Sequence, residues 1–227
     1  MNTQNTIFFD IETEPLPLDQ IKAVFGEFDP ESVKLGNLKD PDKIAAKLEE
    51  RRKSYDADLV EGAAVDPMKA KVLAVGLMYP DDTYTLMEAD TLDDERRLLQ
   101  DFWVVWARSR VRSMQFAGWA AHKFDLPFLL TRSWWQGVKL PDGFAPCTAS
   151  GYRTFPGCFD LEAEWVGNPR DRLKLDYVSR FLGLSGKRMA GKDFWKYWRE
   201  GGDKKEEALA YLENDDVRSL KVIAERI

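Results

Sequence analysis

The sequence predicts an α/β fold, on three observations. Short apolar segments rich in β-branched and aromatic residues recur along the chain (TIFFDI, KVLAVGLM, TYTLM, MQFAGW). Longer segments with apolar residues at helical spacing lie between and after them. Turn residues sit at the junctions, so strand and helix periods alternate within one chain. Its 227 residues suit one large domain or two small ones, with enough apolar content (44%) to bury a core.

The elements follow in order. Thr6 to Ile11 reads as a short buried strand stopped by Pro15 and Pro17. From Leu18 to Asp66 the pattern turns to mixed charge with Pro30 and Pro41, and a helix is expected between Asp42 and Val60; the stretch 18–66 reads as an insertion. Lys71 to Met78 is a second buried strand. Pro80-Asp81-Asp82 turns it back into Thr83 to Met87, an antiparallel hairpin. Thr91 with Asp94 resembles a capping box, and Leu98, Leu99, Phe102, Val105 and Trp106 continue at helical spacing. Met114 to Trp119 is a further strand and Leu126 to Trp135 an apolar helix, with Trp134 and Trp135 expected in the core. Gly137 to Pro156 reads as loop. Leu173 to Leu182 reads as a helix ending at Gly183, and a last helix runs from Lys204 to the C-terminus.

Composition excludes several classes. The charge balance, 33 basic against 39 acidic residues, argues against a protein that coats nucleic acid without selection, yet permits one local basic groove. Nine basic and three acidic residues lie between Arg170 and Arg199, so that window is +6 and the remainder −12. It interleaves Tyr177, Phe181, Phe194, Trp195, Tyr197 and Trp198, as single-strand binding surfaces do; a helix with aromatics inside and cations outside has the same composition. Cys147 and Cys158 cannot form a disulfide framework, and with the single His122 they make no zinc site. No apolar run approaches the ~18 residues of a membrane span, and the polar Met1 to Thr6 segment resembles no leader, so a cytoplasmic protein is expected.

Three places carry candidate chemistry. In FFDIETE, Asp10 and Glu12 are two apart on a strand and point the same way, which costs free energy unless a cation or donors lie between them; a solvated strand end shows the same pattern. Asp125 stands between Phe124 and Leu126-Pro127-Phe128, either as a ligand or as the cap of the next helix. In YLENDDVRSL, Tyr211 and Asp215 are four apart and share a face on an α-helix, so spacing favours Asp215 over its neighbour Asp216.

Taken in this order, the acids on the first strand, the aspartate before a helix and the Tyr-x-x-x-Asp on the last helix resemble the proofreading-type exonucleases of the DEDD superfamily. These are DnaQ-like enzymes with a ribonuclease-H-like fold, and the tyrosine marks the DEDDy branch. CFDLEAEW followed by LKLDYVSRFLGLSGKR is similar to a stretch of predicted exonucleases related to family B DNA polymerases. The resemblance implies a mixed five-stranded sheet flanked by helices, formed as a single domain over 1–227 with the helical insertion after the first strand. It implies a 3′–5′ exonuclease acting on single-stranded DNA or frayed 3′ ends, in proofreading or DNA repair, alone or beside a replication or repair partner in trans. Asp10, Glu12, Asp125 and Asp215 would then hold two Mg²⁺ or Mn²⁺ ions, with Tyr211 orienting the attacking water. Lys187 and then Lys192 would contact phosphate, and His122 would be structural or a secondary substrate contact. The chain departs from the family at Ala121, where such enzymes often carry Asn. A catalytically silent nucleic-acid-binding module and an exoribonuclease remain as alternatives.

Overall fold

The computed structural model describes residues 1–149, 152–167 and 171–227. Arg170 of the basic window, and Ser150 and Gly151 of the expected loop, lie outside the described residues. The chain forms two compact units: Met1–Thr13 with Val72–Ile227, and Glu14–Lys71 between them in sequence.

The first unit is built on a five-stranded mixed sheet whose strands lie side by side in the order Tyr84–Glu88, Ala70–Met78, Thr6–Pro15, Gln115–Gly118 and Cys158–Asp160. Its strands are β1 (Thr6–Pro15), β2 (Ala70–Met78), β3 (Tyr84–Glu88), β4 (Gln115–Gly118) and β7 (Cys158–Asp160). β1 runs parallel to β4, and β4 parallel to β7, while β2 and β3 form the antiparallel hairpin. Every residue of β2 is buried, which is why it reads from Val72 onward as an apolar run without alternation. The hairpin closes through Tyr79 N to Thr83 O (2.9 Å), with Asp82 at φ 66° in the turn.

Strand parity distributes β1 between two layers. Phe9 packs against Phe102 of α3 (Leu92–Val111) and edge-on to Phe116 of β4 (centroids 5.6 Å), and Trp106 stacks on Phe116. Phe8, one residue earlier, joins the core formed with Leu175, Val178, Phe194, Trp198, Ala208, Tyr211, Leu212, Val217 and Leu220. These residues belong to α6 (Leu175–Phe181), α7 (Phe194–Glu200), α8 (Gly202–Ala210), the π-helical segment Tyr211–Arg218 and α9 (Ser219–Ala224). Asp10 and Glu12 share the parity of Phe8. α3 starts with the expected capping box between Thr91 and Asp94. α4 (Asp125–Gln136) is locked to α3 by Arg132, whose guanidinium grips the fully buried Glu95 at 2.8 and 2.7 Å. After β7, Asp160 caps α5 (Leu161–Val166) by accepting from Ala163 N (3.2 Å).

The second unit holds α1 (Leu18–Phe25) and α2 (Pro41–Val60). Asp40 caps α2 and Pro41 opens it, as a missing N–H permits. The two helices meet through Lys22, which pairs with Asp56 at 2.8 Å, and through Tyr55, whose hydroxyl donates to Gly26 O (2.9 Å). Only Leu59 of α2 is buried, which fits its balanced charge.

Several expectations are corrected. The 137–156 stretch contains two short paired antiparallel strands, β5 (Cys147–Ala149) and β6 (Tyr152–Thr154). Trp134 and Trp135 are 59% and 57% exposed rather than core, because α4 is buried on one face only and both rings fall off it. The last helix is three consecutive segments, with a π-helical turn in the middle. Among the described residues no helix is long and apolar enough to cross a membrane.

Candidate active site

The carboxylates meet where β1 passes the C-terminal helices. One oxygen from each of Asp10, Glu12 and Asp216 lies within 4.8 Å of the others. Strand alternation places the first two. The third is Asp216, not Asp215, and this corrects the sequence reading. Tyr211–Arg218 is a π-helix, whose hydrogen bonds join i to i+5, so Tyr211 shares its face with Asp216 rather than with the residue four on. Asp215 turns the other way, accepting from Arg188 N (2.9 Å) and pairing with Arg188 Nε (3.3 Å).

Asp125 approaches from the start of α4, only 1% exposed. It is not the cap of that helix: the cap position is Phe124, and the Asp125 carboxylate instead accepts from Ile11 N on β1 (3.2 Å). Its other oxygen, Oδ2, is buried without a partner, and so is Oδ2 of Asp216. Buried, unsatisfied anionic oxygens are costly, and they mark where a cation or donor is required.

The electrostatics agree. Burial, followed by the charge of Asp216, pushes Asp10 and Glu12 well above the usual carboxylate range. Burial pushes Asp125 up to about 7. Asp216 is raised by burial against the pull of Lys187. The Lys187 ammonium lies inside the group: it pairs with Asp216 and donates to the Tyr211 hydroxyl at 2.9 Å. Burial alone would lower its pKa, but Asp216 and Asp10 outweigh this and raise it, so it stays charged. Burial and the same carboxylates raise Tyr211, which keeps its proton at neutral pH. Hard oxygen donors, mutually repelling and left with unpaired lone pairs, fit a divalent cation such as Mg²⁺ or Mn²⁺.

The remaining sequence candidates divide. Lys187 sits among the carboxylates through a side-chain reach that spacing could not show. Lys192 is exposed on the 3₁₀ turn Gly191–Asp193, and Gly191 faces Tyr211 so closely that an added Cβ would lie 3.4 Å from the hydroxyl. His122 is not brought to the group: its Nε2 lies 3.1 Å from Cys158 O, its N–H donates to Asp160 (3.0 Å), and burial lowers its pKa. It ties the loop before α4 to β7. Ala121 is fully buried against Gly118, and the position whose backbone suits an Asn is its neighbour Ala120, at φ 55°. Sequence reasoning missed the tether that holds the Lys187 loop, Asp176 Oδ1 accepting from Lys187 N (2.8 Å); an acid eleven residues upstream carries no local signal.

A five-stranded mixed sheet flanked by helices, with acids converging from within β1, the start of α4 and the last helical run, defines a ribonuclease-H-like α/β domain. The chain belongs to the family of predicted 3′–5′ exonucleases related to the exonuclease domain of PolB, whose family model matches residues 67–222. Asp125, Lys187, Tyr211 and Asp216 fall within the matched stretch; Asp10 and Glu12 precede it. The fold is similar to that of the family B DNA polymerase from the hyperthermophilic archaeon Pyrobaculum calidifontis, with a TM-score of 0.62 and 19% identity over 97% of this chain. This chain spans only 24% of that polymerase. Among curated proteins, none matches.

Proposed function

We propose that the protein is a metal-dependent 3′–5′ exonuclease of the DEDDy type, which hydrolyses the terminal phosphodiester of single-stranded DNA or frayed 3′ ends and releases nucleoside 5′-monophosphates. The observation that carries this reading is the trio of half-buried Asp10 with buried Glu12 and Asp216, and the unpartnered oxygens of Asp125 and Asp216 beside it. These four residues would hold the ions, with Asp216 taking the place expected for Asp215. Bound divalent ions supply Lewis acidity for the attacking water and charge stabilisation for the departing 3′ oxygen.

The chain's own residues do the rest. Tyr211, protonated at neutral pH, positions the water through its hydroxyl rather than removing a proton. Lys187 offers its positive charge to the phosphate from its place at the carboxylates. In hydrolysis the water oxygen bonds to phosphorus, the P–O3′ bond breaks and the leaving oxygen takes a proton. We propose that the enzyme acts alone or beside a replication or repair partner in trans.

The test is degradation of 5′-labelled single-stranded DNA, with RNA of equal sequence alongside, in Mg²⁺, Mn²⁺ and EDTA. A ladder that shortens from the 3′ end only with metal, and that Asp216→Asn abolishes, is expected. Faster loss of the RNA would redirect the substrate assignment, and binding without turnover would overturn the activity.

A further inference from the structure

The basic, aromatic window divides sharply once folded. Phe194 and Trp198 are buried in the core, whereas Tyr177 and Phe181 on α6 are 58% and 80% exposed. They are four apart, so both rings stand on one outer face of that helix. Burial does not account for a phenylalanine four-fifths exposed beside a tyrosine.

The surroundings of the two rings are cationic. Between residues 174 and 188 stand four basic residues and one acidic one. Lys174 Nζ lies 5.4 Å from the Tyr177 ring centre. Arg180 pairs with Asp176 (3.1 Å) but leaves much of its guanidinium in solvent. The face is also fixed to the carboxylate site at two points. Asp176 holds the backbone N–H of Lys187 at 2.8 Å, and the Arg180 guanidinium lies over Gly186, where an added Cβ would come within 2.5 Å of Nε. Lys187 itself reaches Tyr211 and Asp216, and Arg188 reaches Asp215. α6 and the loop carrying Lys187 are therefore tied together.

We propose that Tyr177 and Phe181 form a stacking platform for unpaired bases of the strand whose 3′ end enters the carboxylate site, with Lys174 and Arg180 following its phosphates. Aromatic faces take any base, while interspersed cations track the backbone, which gives strand binding without sequence readout. A duplex presents no free base faces, so the platform selects unpaired ends. This deepens the exonuclease reading and rests on it for the direction of the strand, but not for the binding itself.

The experiment measures anisotropy of a labelled short oligothymidylate in EDTA, where no hydrolysis occurs, for the wild type, Tyr177→Ala, Phe181→Ala and Tyr177→Phe. Cleavage of the p-nitrophenyl ester of thymidine 5′-monophosphate, too small to reach α6, is followed in parallel with Mn²⁺. Each alanine variant should weaken strand binding by about fivefold or more, Tyr177→Phe should bind as the wild type does, and ester cleavage should be unchanged in all three. Duplex binding should not respond. Unchanged strand affinity in both alanine variants overturns the platform, as does a wild type that binds no strand. A change confined to association state in sedimentation overturns it too, and would make the face a protein contact. A wild type that binds the strand but cleaves neither substrate sinks the exonuclease reading alone, because the binding series still decides the platform.

Discussion

Replacing Asp125 by Asn should stabilise the metal-free protein by an amount that grows with pH. The Asp125 carboxyl titrates at about 7 in the fold because it is buried, against about 3.9 in an unfolded chain. A raised acid binds its proton more tightly folded than unfolded. Below the unfolded value both states are protonated and nothing is lost. Between about pH 4 and 7 the unfolded chain releases its proton while the folded one keeps it, so stability falls by about 1.4 kcal/mol per unit. Above the folded value the loss levels off at about 4 kcal/mol. Asn does not titrate, keeps an oxygen for the Ile11 N–H, and places a neutral amide where the carboxylate Oδ2 is buried without a partner. Urea unfolding in EDTA, followed by tryptophan fluorescence, should give equal stabilities near pH 4 and a variant more stable by up to about 4 kcal/mol near pH 8. Saturating Mg²⁺ should narrow the gap, since only the wild type gains fully from binding. A gap that does not widen with pH, or a variant less stable near pH 8, would refute the assignment of Asp125 to a charge-repelling buried group.

Three further outcomes follow from the same geometry. In calorimetric titration with Mn²⁺, Asp216→Asn should lose binding by more than about tenfold while Asp215→Asn stays within a few-fold; the reverse order would restore the α-helical register. Tyr211→Phe should lower kcat by about 10²-fold with little change in KM, because it removes an orienting hydroxyl and no strand contact; a rise in KM alone would make Tyr211 a binding residue. Arg132→Ala should destabilise by about 3–5 kcal/mol in chemical unfolding, since Glu95 would remain buried without its cation, held by Gln136 (2.8 Å) and Val72 N (2.8 Å); a loss under about 1 kcal/mol would show that water reaches the site.

How much of this could be read in advance depended on whether the signal was local. The hairpin of β2 and β3, the capping box at Thr91, α4 and the shared face of Asp10 and Glu12 all follow from periods of two and 3.6 and from cap chemistry within a few residues. The exposure of Trp134 and Trp135 was not legible, because an apolar run tells a helix from a loop without telling which face is covered. Nor was the pairing of β5 with β6, whose strands are three residues each.

The sequence by itself determined the α/β class, the strand that carries the first two acids and the existence of an acid at the start of α4. Only the tertiary structure decided that Asp216 completes the acidic trio, that Lys187 reaches it, and that Tyr177 and Phe181 stay outside while Phe194 and Trp198 go in. The reason is physical. Alternation along a strand is a property of neighbouring residues, whereas the π-helical segment after Tyr211 sends Tyr211, Leu212 and Val217 into a core shared with the distant Phe8, Leu73 and Phe194. No spacing rule contains that second set of contacts.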